Sequence, residues 1–201
     1  FEAGSRIVYG LFRAQSDRLA VQVEEEALYF LRNERTGGCL ADSIAPQDTI
    51  GLFVATSSLC LTELIERAEG GGELMEALSL RLLADRLAEV LARLAEELLK
   101  AKWGRPFPTW IRPAPGYPIW SDHSEKATLF SLLDVTARIG VHLTESWAMD
   151  PPSSVCGLLL GGEDLSYFPI GKISRRQLEL YAQRKGVAPD ELAPRIQGMG
   201  Y

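Results

Sequence analysis

The chain has 201 residues, 46% apolar and 24% charged, enough for one well-buried core. A net charge of −6 excludes a general nucleic-acid binder, no apolar run approaches the roughly 20 residues of a membrane-spanning helix, and no secretory signal is visible. Three cysteines (Cys39, Cys60, Cys156) without C-x-x-C spacing and two histidines (His123, His142) give neither a disulfide framework nor a multi-histidine metal centre, so a reducing cytoplasm is the expected compartment.

The first strand is expected over residues 7–12 and a second, alternating one over 19–23, with the polar residues 13–18 as a hairpin connection. Residues 24–35 begin acidic, carry a Leu-Tyr-Phe-Leu stripe and meet Gly37-Gly38, which predicts a short helix. Residues 49–55 (T-I-G-L-F-V-A) read as a buried strand. Thr56, Ser57 and Ser58 then offer caps for a helix to about Ala68, ended by the glycines at 70–72. The longest element is a helix over 74–103, in which Leu80, Leu83, Leu87, Val90, Leu91, Leu94 and Leu98 form one stripe expected to face the core. Asp85, Arg86 and Glu89 fall off that stripe, and from spacing alone they read as a solvated face.

A proline-rich stretch follows, and then a helix over about 125–139 capped by Ser121 or Ser124 and stopped by Gly140. Residues 141–146 alternate like a strand. Residues 155–160 and 167–173 read as a hairpin turning at 161–164. Ser174 and Gln177 form a capping box for a helix to Lys185, stopped by Gly186, and a shorter helix starts near Pro189. Hairpins beside helices, without alternating βαβ units, predict an α+β domain with a twisted antiparallel sheet and flanking helices. The chain reads as one domain over 1–201. Because it opens at Phe1 without a methionine, it also reads as a fragment lacking an N-terminal portion, and its single asparagine, Asn33, fits a thermophilic source.

Signatures of common catalytic centres are missing from the sequence. There is no G-x-G-x-x-G at a strand–helix junction, no G-x-x-x-x-G-K-[ST], and no arguable Ser-His-Asp or Cys-His set. What stands out is W-I-R-P-A-P-G-Y-P-I-W-S-D-H-S-E-K at 110–126. Pro113, Pro115 and Pro118 fix φ and remove donors, so the segment can be neither helix nor inner strand. Held between them, the Arg112 guanidinium is a rigid fork suited to a carboxylate or phosphate. From residues alone, a ligand loop and a plain polyproline-like connector both remain open.

R-P-A-P-G-Y-P at 112–118 and D-H-S-E-K-A-T at 122–128 resemble the activation domain of cobalamin-dependent methionine synthase. So, in the same order along the chain, do C-L-A-D-S-I-A-P at 39–46, A-D-R-L-A-E at 84–89, L-T-E-S-W-A-M at 143–149 and Y-A-Q-R-K-G at 181–186. The resemblance implies a domain that presents S-adenosylmethionine to cob(II)alamin held by a neighbouring cobalamin-binding domain. Flavodoxin or another donor would supply an electron, and methylcobalamin would be regenerated for methionine biosynthesis. It places zinc only in a separate homocysteine domain and gives this domain no catalytic centre of its own.

The resemblance also implies site residues. Arg112 would pair with the ligand carboxylate, Glu89 would be a second anchor, and Ala114 and Gly116 would offer main-chain groups and room. Tyr117 and Tyr167 would lie close to the ligand, and Asp85 would contact a partner domain. Two departures stand out: Phe168 occupies a position where the family commonly has a second tyrosine, and no equivalent is found for the acidic residue that contacts the ligand's amino group. A reading of another class is a non-catalytic docking module, or a stand-alone reactivator of another corrinoid protein. In it, Asp85, Arg86 and Glu89 with Lys172, Arg175 and Arg176 would bind a corrinoid protein or an acidic flavodoxin.

Overall fold

The structure, a computed structural model, describes residues 4–57 and 59–196. Its centre is β4 (Asp48–Thr56), whose apolar run at 50–55 is explained by burial on both faces. β1 (Arg6–Ser16) pairs antiparallel along β4 from Arg6↔Thr56 to Ala14↔Asp48. On the other side β8 (Ser154–Gly162) pairs from Gly51↔Leu159 to Thr56↔Ser154. β2 (Ala20–Val23) and β3 (Glu26–Tyr29) extend the sheet beyond β1, and β5 (Thr109–Ile111) extends it beyond β8. The order is β3-β2-β1-β4-β8-β5, with every neighbouring pair antiparallel. Helices cover both faces, so the antiparallel sheet is buried between two helical layers, an α+β arrangement.

One face carries α1 (Leu59–Gly70) and α2 (Leu74–Trp103), with α2 lying over β1, β4 and β8. The opposite face carries α3 (Glu125–Leu133) and α4 (Val135–Ile139) above β1, β3 and β4. Ile50, Leu52 and Val54 point into this second layer, while Phe53 points under α2. A satellite cluster under α5 (Arg175–Lys185) and α6 (Pro189–Leu192) joins Leu31, Ile170, Ile173, Leu178 and Ile196. β6 (His142–Leu143) and β7 (Met149–Asp150) form a separate two-stranded ribbon.

Several sequence expectations are corrected. Residues 24–35 hold no helix. Glu24 takes a left-handed φ of 54° in the two-residue turn between β2 and β3, and Leu28 and Phe30 alternate into the core. The acidic pair is therefore a turn, not a helix start. β1 runs on to Ser16, so the first turn is shorter than the composition of 13–18 implied. The expected hairpin of 155–160 with 167–173 does not form, because β8 already has β4 on one edge and β5 on the other. Residues 167–173 are instead an irregular segment whose Ile170 N–H donates to the Pro118 carbonyl at 2.7 Å. The helix expected over 125–139 breaks at Asp134, which sits at φ 49°. The strand expected over 141–146 shrinks to His142–Leu143. Of the three caps expected for α1, Ser58 lies outside the described residues.

The orientation of α2 is the largest correction. Its buried face is Ala77, Ala84, Ala88, Ala92, Ala95 and Leu99, not the leucine stripe, and Val90 stands 60% exposed. The sheet face below already carries Tyr9, Leu11, Phe53 and Trp110, so only small side chains let the helix approach. At Gly51, for instance, an added Cβ would meet Leu99 and Leu159 at 3.1 Å. Ala92→Leu should therefore overpack this layer and cost about 1–3 kcal/mol by denaturant unfolding. Leu94→Ala on the exposed stripe should stay within about 0.5 kcal/mol. The reverse ranking would contradict this orientation.

Candidate functional site

β5 delivers the chain to Arg112, and the ladder to β8 continues one step further, with the Leu158 N–H donating to the Pro113 carbonyl at 2.9 Å. Gly157 permits this approach, since a Cβ there would come within 3.2 Å of that carbonyl oxygen. Beyond it the loop closes on itself. The Tyr117 N–H donates to Ala114 O, Trp120 N–H to Tyr117 O, and Gly116 N–H to Trp120 O at 2.7 Å. Gly116 takes a φ of 92°, which favours glycine. The buried Trp120 ring packs on Phe30 and donates its Nε1–H to Tyr29 O at 3.1 Å, anchoring the loop's end in the core.

The Arg112 side chain turns toward α2. Its Nη2 lies 3.4 Å from Glu89 Oε2, its Nη1 lies 3.7 Å from Glu96 Oε2, and its guanidinium carbon sits 5.7 Å from the Phe53 ring centre. The polar run on α2 thus aims Glu89 at the loop. These contacts leave Nη1 buried without a hydrogen-bond partner, although a guanidinium carries five donors. An unsatisfied buried donor costs on the order of 1–3 kcal/mol, and the Glu96 carboxylate at 3.7 Å offsets part of that electrostatically.

Arg112 lines a cavity of about 600 Å³. Glu89, Ala114, Tyr117, Tyr167 and Phe168 line it too, so six of the seven expected site residues meet around one space although they come from α2, the loop and the segment after β8. Gly116 is the seventh and lies behind the wall: its N–H is taken by Trp120 O, and a Cβ on it would fall 2.2 Å from the His123 ring. Its bareness makes room for His123. Tyr117 and Tyr167 are about 60% exposed at the rim, and the Tyr167 hydroxyl accepts the Arg112 N–H at 2.6 Å. Phe168 is half-buried and packs against Gly38. Asp85 stands outside, accepting from Ser153 Oγ at 2.8 Å.

Four other lining residues were not expected in the site from the sequence: Met149, Cys156, His123 and Lys126, of which all but Cys156 lie in the blocks that carry the family resemblance. Burial pushes the Cys156 thiol up to about 11, so it faces the cavity neutral. Asn33 carries a hidden structural role. Its Nδ2 donates to Pro169 O at 2.8 Å while Oδ1 accepts from the Arg35 and Thr36 N–H groups, tying the Tyr167–Phe168 wall to the sheet edge.

Behind the loop lies a buried charge cluster. Lys185 Nζ donates to Asp122 Oδ2 (2.6 Å), Glu125 Oε1 (2.5 Å) and Ser124 Oγ (2.8 Å), and the Tyr181 hydroxyl donates to Asp122 Oδ2 at 3.0 Å. Glu125 Oε2 accepts the Tyr29 N–H at 2.8 Å. Two carboxylates here share one ammonium. Burial, opposed by Lys185 and reinforced by Asp122, raises the Glu125 carboxyl to about 7. Burial also depresses Lys185, but the charges of Glu125 and Asp122 outweigh it and hold the ammonium above its usual range. The cap of α3 belongs to this cluster: Asp122 Oδ1 accepts both the N–H and the Oγ–H of Ser124. Among the described residues, no group of three or more His, Cys, Asp or Glu could hold a metal ion.

The sequence matches the family described as vitamin B12 dependent methionine synthase, activation domain, over residues 2–186. A solved crystal structure of the MetH reactivation domain bound to AdoHcy superposes with a TM-score of 0.84 at 33% sequence identity, covering 98% of this chain and 71% of that one.

Proposed function

Because the chain belongs to the activation-domain family of vitamin B12 dependent methionine synthase, we propose that its cavity binds S-adenosylmethionine in support of the reductive methylation of cobalamin. One observation carries this reading: Arg112, Glu89, Ala114, Tyr117, Tyr167 and Phe168, drawn from three separate segments, line one cavity of about 600 Å³. The related domain's AdoHcy is the demethylated form of the same ligand. Arg112 binds the amino-acid carboxylate, and Glu89 sets the guanidinium and serves as second anchor. Ala114 lends main-chain groups, and Phe168 offers a ring for stacking where a second tyrosine hydroxyl is absent. Gly116 acts indirectly, through the His123 ring it admits.

Residues 1–201 act in this reading as one ligand-presenting domain in the cytoplasm, a setting that accords with the free buried thiols of Cys39 and Cys156. Cobalamin, held by a neighbouring domain, supplies the methyl acceptor, and flavodoxin or another donor supplies the electron. This chain supplies position. The rim rings of Tyr117 and Tyr167 present apolar faces toward whatever docks over the cavity. No helix of the described residues is long and apolar enough to cross a membrane.

A thermal-shift titration tests the reading. S-adenosylmethionine at about 100 times its Kd should stabilise the domain by about 2.7 kcal/mol. A purely docking role for the exposed Lys172, Arg175 and Arg176 gives no shift at millimolar ligand, and that result would overturn the proposal.

A further inference from the structure

Two titratable residues of the cavity wall have no electrostatic role in the reading above. His123 precedes α3 and Lys126 lies in its first turn, and both face the cavity. Lys126 is only 8% exposed, and its Nζ lies 3.0 Å from His123 Nδ1 and 2.8 Å from the Trp147 carbonyl. An ammonium has no acceptor, so Nδ1 must accept and the ring's single proton sits on Nε2. The ring fills the space that Gly116 leaves bare, which limits its movement, and the His123 backbone N–H donates to the Arg195 carbonyl at 2.9 Å, which fixes the main chain beneath it. A second proton would therefore point directly at the ammonium.

The charged and titratable groups around this imidazole are few. From α3 there is Lys126. From the loop there is Asp122, whose carboxylate is already engaged by Ser124, Tyr181 and Lys185. Arg195 turns its guanidinium onto the Trp147 ring. Cys156 of β8 contributes a neutral thiol, and Arg112 and Glu89 line the same cavity. Burial and then Lys126 hold the imidazole below its ordinary range, against a weaker pull from Asp122.

We propose that His123 and Lys126 form a charge-selective end of the cavity, where an uncharged imidazole tolerates a cationic sulfonium ligand and a charged imidazole rejects it in favour of the neutral thioether. The proposal rests on the reading of the cavity as an S-adenosylmethionine site and adds a discrimination between methyl donor and spent product. The two ligands share their carboxylate, amino group and adenosine, so the ratio of their affinities isolates the sulfonium charge.

The test is calorimetry with S-adenosylmethionine and S-adenosylhomocysteine between about pH 8 and pH 5.5, on the wild type and on His123→Gln. The wild-type donor-to-product affinity ratio should fall about three- to fivefold by pH 5.5, approaching tenfold only well below it, and that of His123→Gln should not change with pH. By reciprocity, proton NMR of the wild type should show the His123 pKa falling by about one unit on saturation with the donor but not with the product, with exposed His142 as internal reference. A pH-independent wild-type ratio, an equal fall in His123→Gln, or an unmoved His123 titration overturns the selectivity while leaving the ligand site standing. Failure of both ligands to bind at every pH overturns the site itself and this inference with it.

Discussion

Arg112→Ala should weaken S-adenosylmethionine binding by about 10- to 150-fold in a calorimetric titration, the equivalent of about 1.5–3 kcal/mol for a lost charge-assisted hydrogen bond. The fold should survive the substitution. Glu89 is half-exposed and can take water in place of the guanidinium, and Glu96 keeps Lys100 at 2.6 Å. Arg112→Lys retains the charge but not the planar fork, so it should fall between the wild type and alanine. An unchanged affinity in the alanine variant would remove Arg112 from the site.

The second large effect lies behind the loop, at Glu125. Its folded carboxyl titrates near 7, above the ordinary 4.5. The folded state therefore binds the proton more tightly than the unfolded chain. That contribution is fully present below about pH 4.5 and is lost as pH rises through about 7, up to about 3 kcal/mol in all. His123, held low by burial and by Lys126, works in the opposite sense over part of this window. The informative quantity is thus the wild-type unfolding free energy minus that of Glu125→Gln, which should decline between about pH 5 and pH 8. A flat difference would mean that Glu125 stays ionised beside Lys185 throughout.

What the sequence disclosed follows from where the determining physics resides. The loop at 112–118 was legible because prolines fix backbone angles whatever surrounds them, and β4 because burial on both faces leaves an unbroken apolar run. The span of α2 was legible for the same local reason, since glycines bound it. Its facing was not. Leucines dominate any periodicity, yet the aromatic-rich sheet beneath admits only the alanines. β3 was hidden because the acidic pair at Glu24 and Glu25 resembles a helix start, and only pairing with β2 makes it a turn.

Within the site, Arg112 and Glu89 could be brought together by resemblance, whereas the distance between them is set by α2 crossing the sheet. His123 and Lys126 carried one local hint, an i,i+3 spacing at a helix start, which many solvated pairs share. The ties of Lys185 to Asp122 and of Asn33 to Pro169 span more than fifty residues each and have no local signature.

The most direct measurement is the affinity of the wild type and of Arg112→Ala for S-adenosylmethionine and for its decarboxylated analogue. If Arg112 holds the carboxylate, the wild type should prefer the intact ligand by at least about tenfold, and the preference should shrink to about twofold or less in the variant. Equal affinity of the wild type for both ligands would contradict the assignment of Arg112 as the carboxylate anchor.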